Sequence, residues 1–202
     1  MNDSLIRSNE RVRELGEVFT PNHIVKDMHN LFSAETWADT TFGYLEPTCG
    51  NGNFIVEAIK MKLAHGLTIE QAVNTTWGMD VMKDNIDDCH NRIFQIIAEE
   101  YKYIGEYPDV WLTNVARAIA IVRNNIFAVN LETGGSLTWL ESGEFAKVKY
   151  FHYDPLKNTP FKTGCLLSSE RQPILQKIKN EIKKNKISFL SEIYNNQLDF
   201  WR

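Results

Sequence analysis

Residues 46–54, Glu46-Pro47-Thr48-Cys49-Gly50-Asn51-Gly52-Asn53-Phe54, constrain this chain more than any other stretch. They follow the apolar segment Phe42-Gly43-Tyr44-Leu45 and lead into Ile55-Val56-Glu57-Ala58-Ile59, whose apolar residues recur at helical spacing. The pattern is strand, glycine turn, helix. Gly50 and Gly52 lack a Cβ, so the backbone can turn sharply and a ligand can lie against it. In an open α/β sheet, a loop at the carboxyl end of a strand is where ligands bind. A lone glycine pair is weak evidence, and the neighbouring segments sharpen it.

Upstream lies Gly16-Glu17-Val18-Phe19-Thr20-Pro21. Thr20 before Pro21 reads as an N-cap followed by a first helical residue. Ile24, Val25, Met28, Leu31 and Phe32 then supply an apolar helix face. Downstream, Trp77-Gly78-Met79-Asp80-Val81 reads as a short strand ending in an acid. Ile86, Cys89, Ile93, Ile97 and Tyr101 mark the buried side of the long helix that follows it.

In that order, the three segments resemble the S-adenosylmethionine-dependent amino-methyltransferases, most closely the DNA N6-adenine methyltransferases of restriction-modification systems. The family loop is typically D-P-A-C-G-x-G-x-F, with Glu46 here at the Asp position and Thr48 at the Ala position. The resemblance implies a Rossmann-like α/β fold with a doubly wound, mostly parallel sheet, incomplete relative to the full family. It implies that Glu46 faces the methionine ammonium, with Pro47, Cys49, Gly50, Gly52, Asn53 and Phe54 completing the loop. Phe19 and Thr20 would belong to a G-x-x-x-T-P lid over the methionine end. Asp80 would accept hydrogen bonds from the ribose hydroxyls, and Val81 or Met82 would pack on the adenine.

Beyond residue 95 the resemblance thins. The family carries an acid after its third strand; in Asn125-Ile126-Phe127-Ala128-Val129-Asn130, Asn130 holds that place. An amide still accepts a hydrogen bond but adds no charge, and Asn is also a common turn former. The catalytic motif, N/D/S-P-P-Y/F after the fourth strand, has no intact copy. After the strand-like Val148–Tyr153, Asn158-Thr159-Pro160-Phe161 keeps the Asn, a proline and the ring, whereas Asp154-Pro155-Leu156 lies nearer the strand end. Asn158, Pro160 and Phe161 are the catalytic candidates, Asp154 the alternative. A plain loop also explains them, because Asn and Pro cluster in turns.

The function expected on this resemblance is methyl transfer to an exocyclic amine, as in DNA methylation by phage- or bacterium-type enzymes. A non-catalytic S-adenosylmethionine-binding decoy or accessory subunit is the alternative, and an RNA or protein-amide acceptor is a third reading. The large target-recognition region usual in the family is not recognisable here.

Composition sets outer bounds. With 202 residues, 43% of them hydrophobic, the chain supports one globular domain: an N-terminal helix or arm over 1–13, a core over 14–161 and terminal helices over 162–202. Neither a signal peptide nor a membrane-length apolar run appears, so a cytoplasmic protein without a membrane partner is expected. Cys49, Cys89 and Cys165 lack the spacing of a disulfide framework or zinc site, and no metal is expected. The net charge of −4 disfavours unassisted nucleic-acid binding. Residues 171–186 nevertheless carry Arg171, Lys177, Lys179, Lys183, Lys184 and Lys186 against Glu181 alone. Such a basic helix is most often solvated surface, but it could meet DNA or an acidic partner subunit.

Overall fold

The computed structural model describes residues 5–101, 108–128 and 172–200. Three helices precede the first strand: α1 (Asn9–Leu15), α2 (Asn22–His29) and α3 (Ala34–Ala38). Then follow β1 (Tyr44–Glu46), α4 (Asn53–Ala64), α5 (Ile69–Asn74), β2 (Thr76–Asp80), α6 (Lys83–Glu100), α7 (Pro108–Asn125) and β3 (Ile126–Ala128). Two further helices, α8 (Gln172–Lys183) and α9 (Ser188–Phe200), complete the described part.

The strands form one parallel sheet in the order β1-β2-β3, with Glu46 opposite Gly78 and Asp80 opposite Ala128. Parallel neighbours need long crossovers, and the helices between the strands supply them. The carboxyl ends of all three strands therefore lie on one edge. The fold is mixed α/β, and no helix among the described residues is long and apolar enough to cross a membrane.

Local chemistry accounts for several boundaries. Thr68 opens α5 with a reciprocal capping box: its Oγ1 accepts from the Gln71 N–H (3.3 Å), and Gln71 Oε1 accepts from the Thr68 N–H (2.8 Å). Ser8 caps α1 by accepting from the Arg11 N–H, and Gly16 ends that helix at φ 65°. Thr20 does not act as the expected cap. Pro21 takes the N-cap position, α2 starts at Asn22, and no side chain caps it. Proline removes its own N–H but offers no side-chain acceptor to the N–H groups of the first turn.

The core lies among α4, α6, α7 and the sheet, where Ile55, Ile59, Cys89, Ile93, Ile97, Leu112, Val115, Ile119 and Val122 are essentially solvent-free. Each such aliphatic side chain contributes roughly 1.5–3 kcal/mol by leaving water. α8 and α9 cover α7 through Leu175, Ile178, Ile182 and Leu190, with Tyr194 stacked on Trp111 at 6.4 Å. The expected apolar face of α2 is mostly not core: Val25 is buried, but Ile24, Met28, Leu31 and Phe32 are exposed. Ile174 of α8 is also exposed.

A second cluster, of aromatic rings, anchors α2 and α3 to β1. His29 stacks on Trp37 and Tyr44, at 5.4 Å from each, and meets Phe54 at 5.6 Å. Beneath it sits Lys62, fully buried although nothing in the sequence marks it. Its Nζ donates to the carbonyl and hydroxyl of Thr75 (2.7 Å each), the Phe42 carbonyl (3.0 Å) and Thr76 Oγ1 (3.2 Å). Burial pushes its pKa down to about 7.

Candidate functional site

At the carboxyl edge of β1 and β2 lies a cavity of about 380 Å³, within the roughly 300–1,000 Å³ usual for small-molecule sites. Its wall brings together three segments far apart in the chain: Gly16–Thr20, the loop after β1, and Asp80-Val81-Met82 with Asn85. Of the residues expected to hold a cofactor, Phe19, Thr20, Glu46, Cys49, Gly50, Asn53, Phe54, Asp80 and Val81 line it. Pro47 and Gly52 do not. Asn130, Asp154, Asn158, Pro160 and Phe161 lie outside the described residues.

The two glycines do different jobs. Gly50, at φ 52°, turns its N–H onto Asp80 Oδ2 at 2.9 Å, and a Cβ there would touch the Phe19 ring at 3.4 Å. Gly52, at φ 87°, faces inward, and a Cβ there would lie 2.3 Å from Cys89 Sγ. It therefore serves the close packing of the loop on α6 and not ligand approach.

Asp80 does structural work as well. Besides Gly50, its carboxylate accepts from the Met82 N–H (2.8 Å) and from Asn85 Nδ2 (3.3 Å). With about four lone-pair sites on a carboxylate, roughly one remains for another donor. Glu46 is freer: its Oε1 has only long contacts to the N–H and hydroxyl of Thr48, at 3.3 and 3.4 Å.

The charge around the cavity has one sign. Among the described residues, Glu17, Glu46 and Asp80 line it, and no lysine or arginine does. Glu17 is paired with Arg11 behind the wall, but Glu46 and Asp80 have no cationic side chain within ion-pair distance among the described residues. Cys49 is a neutral part of the wall. The hydrogen bond to Cys89 and burial raise its pKa well above the ordinary thiol range, so it stays protonated. No group of three His, Cys, Asp or Glu among the described residues is placed to hold a metal.

Sequence reasoning missed the residues that hold this wall in place. Arg92 of α6 donates to the Asn51 carbonyl (2.8 Å) and to Asn53 Oδ1 (2.7 Å). Asn53 Nδ2 in turn donates to the Thr20 carbonyl at 2.8 Å, so one chain of bonds joins α6, the loop and the segment before α2. Asn85, Arg7 and Arg11 form a second such chain. The only available signal was polar character, on helices for Arg11, Asn85 and Arg92 and ahead of α1 for Arg7, which most solvated residues share.

Set against protein-family models, curated proteins and solved structures, the chain matches none.

Proposed function

We propose that the chain binds S-adenosylmethionine and belongs functionally with methyltransferases that act on an exocyclic amine, the DNA adenine-N6 type being the best fit. The observation that carries this reading is the acid-lined cavity at the strand ends. A glycine-rich loop after the first strand of a parallel sheet can equally serve a nucleotide phosphate. A phosphate, however, needs outward N–H groups or basic side chains. Here the Gly50 N–H is spent on Asp80, and the charged side chains of the described wall are carboxylates. A ligand with an ammonium and a sulfonium suits that field.

The order β1-β2-β3 with helical crossovers is compatible with the 3-2-1 half of a doubly wound sheet, whose ligand lies at the carboxyl edge. In this reading Glu46 meets the methionine ammonium, Asp80 offers its remaining acceptor to a ribose hydroxyl, and Phe19 and Val81 wall the apolar parts. The cofactor supplies the methyl group. The protein's share is positioning and the exclusion of water. Asn158, Pro160 and Phe161 remain the proposed acceptor-binding residues on sequence grounds alone. The non-catalytic accessory reading is favoured by the departure of 158–161 from the family motif.

Calorimetric titration tests the cofactor: S-adenosylmethionine should bind at one site, and NAD or ATP should not compete. No detectable binding at millimolar S-adenosylmethionine would reject the reading. Transfer of labelled methyl to single-stranded DNA, duplex DNA and RNA, with Asn158→Ala as control, separates enzyme from accessory subunit. Duplex acceptors should be the poorest, because extruding a base costs a few kcal/mol.

A further inference from the structure

Asn85, in the first turn of α6, joins the strand-end acid to the N-terminal segment. Its side chain is 1% exposed and fully engaged. Nδ2 donates to Asp80 Oδ1 (3.3 Å) and Glu17 Oε2 (2.9 Å), while Oδ1 accepts from Arg7 Nε (2.8 Å). Arg7 also pairs with Asp88, and Arg11 bridges Glu17 and Asp84. The Arg11 guanidinium beside Asp84 holds that carboxyl below its ordinary range.

In the segment carrying these arginines, the apolar residues Leu5, Ile6 and Leu15 are exposed. No residue of α1 is buried, so residues 5–17 lie against α6 through ion pairs and hydrogen bonds, with Arg7 above the Phe19 ring at 5.9 Å. Segments with few apolar contacts sit at the low-stability end of a fold. The junction is also incomplete: Glu17 Oε1 is buried and has no hydrogen-bond partner among the described residues. A buried acceptor left open favours a state in which something fills it.

We infer that Asn85 is a positioning residue that couples Asp80 in the cavity to a strap, residues 5–17, docked on α6. This rests on the cavity being the cofactor site. A ligand that engages Asp80 steadies Asn85, and through it Arg7 and Glu17. By linkage, a docked strap tightens the ligand by the same factor.

Trypsin cleavage after Arg7, Arg11 and Arg13, followed by mass spectrometry, reads the strap directly, with thermal unfolding to confirm that each variant is folded. Without ligand, Asp80→Asn should speed cleavage about fivefold or more, and should add nothing in an Asn85→Ala background. With saturating S-adenosylmethionine, cleavage of the wild-type strap should slow, and that of Asn85→Ala should not. A merely structural role for Asn85 would speed cleavage equally with and without ligand. Should Asn85→Ala not fold, Arg7→Ala serves from the surface: outside the cavity wall, it should still weaken S-adenosylmethionine about fivefold or more. Unchanged ligand-free cleavage in Asp80→Asn, or additive effects of Asp80→Asn and Asn85→Ala, would overturn the coupling. Failure of the wild type to bind S-adenosylmethionine would reject the cofactor reading instead, and the ligand-free comparison would still decide the role of Asn85.

Discussion

The backbone N–H of Gly50 donates a 2.9 Å hydrogen bond to Oδ2 of Asp80, across 30 residues of chain. The loop after β1 is thereby tied to the tip of β2, and the same carboxylate caps Met82 and meets Asn85. Loop shape and cavity charge thus depend on one side chain.

Asp80→Ala should consequently lose more than ligand contacts. Hydrogen bonds to a charged group are worth about 1.5–3 kcal/mol, so a loss of that size is expected in unfolding free energy as well as in cofactor affinity. Urea denaturation alongside calorimetry checks both. A variant of unchanged stability would mean that the three donors are not held by this carboxylate.

Gly52→Ala should destabilise the fold by about 2–4 kcal/mol, combining a left-handed backbone with overpacking against α6. The added Cβ would meet Cys89 Sγ at 2.3 Å and Cys89 Cβ at 2.9 Å. Cys89→Ala removes only the nearer atom, so the double variant should recover part of the loss in thermal unfolding and not all of it.

Lys62 makes stability depend on pH. Its folded pKa, about 7, lies below its ordinary value of 10.5, so between those limits the unfolded chain binds more protons. Burying the ammonium opposes folding fully below pH 7, and that opposition is relieved as pH rises toward 10. Unfolding free energy should climb over this window by up to about 1.4 kcal/mol per pH unit. Lys62→Met should flatten the climb in urea titrations from pH 7 to 9.5; an equal slope in both proteins would contradict the assignment.

Arg92→Ala should loosen the loop although Arg92 does not itself line the cavity. Losing its bonds to Asn51 and Asn53 should raise amide hydrogen exchange over residues 50–54. It should cost about 1–3 kcal/mol of stability, since Asn51 and Asn53 lose a charged donor. Exchange confined to α6 would show that the loop holds itself.

Short-range patterns in this chain carried much of the fold. The strand leading into the glycine loop, the strand ending at Asp80 and the buried stripe of α6 follow from periodicity and turn chemistry, which act within a few residues. The sequence also marked Phe19, Glu46, Gly50 and Asp80 as site residues, and the cavity brings them together. Only the tertiary structure decided what those residues do there. Gly52 serves packing because α6 passes beside it. Ile24, Met28 and Leu31 stay exposed because no described element covers that side of α2. Lys62 is buried because Phe42 and the adjacent pair Thr75-Thr76 converge from two segments to offer it oxygens. Asn85 and Arg92 matter through partners that lie 39–78 residues away in sequence. Periodicity reports which face of an element is apolar. Which neighbour meets a polar side chain is set by the docking of whole elements, and that leaves no local trace.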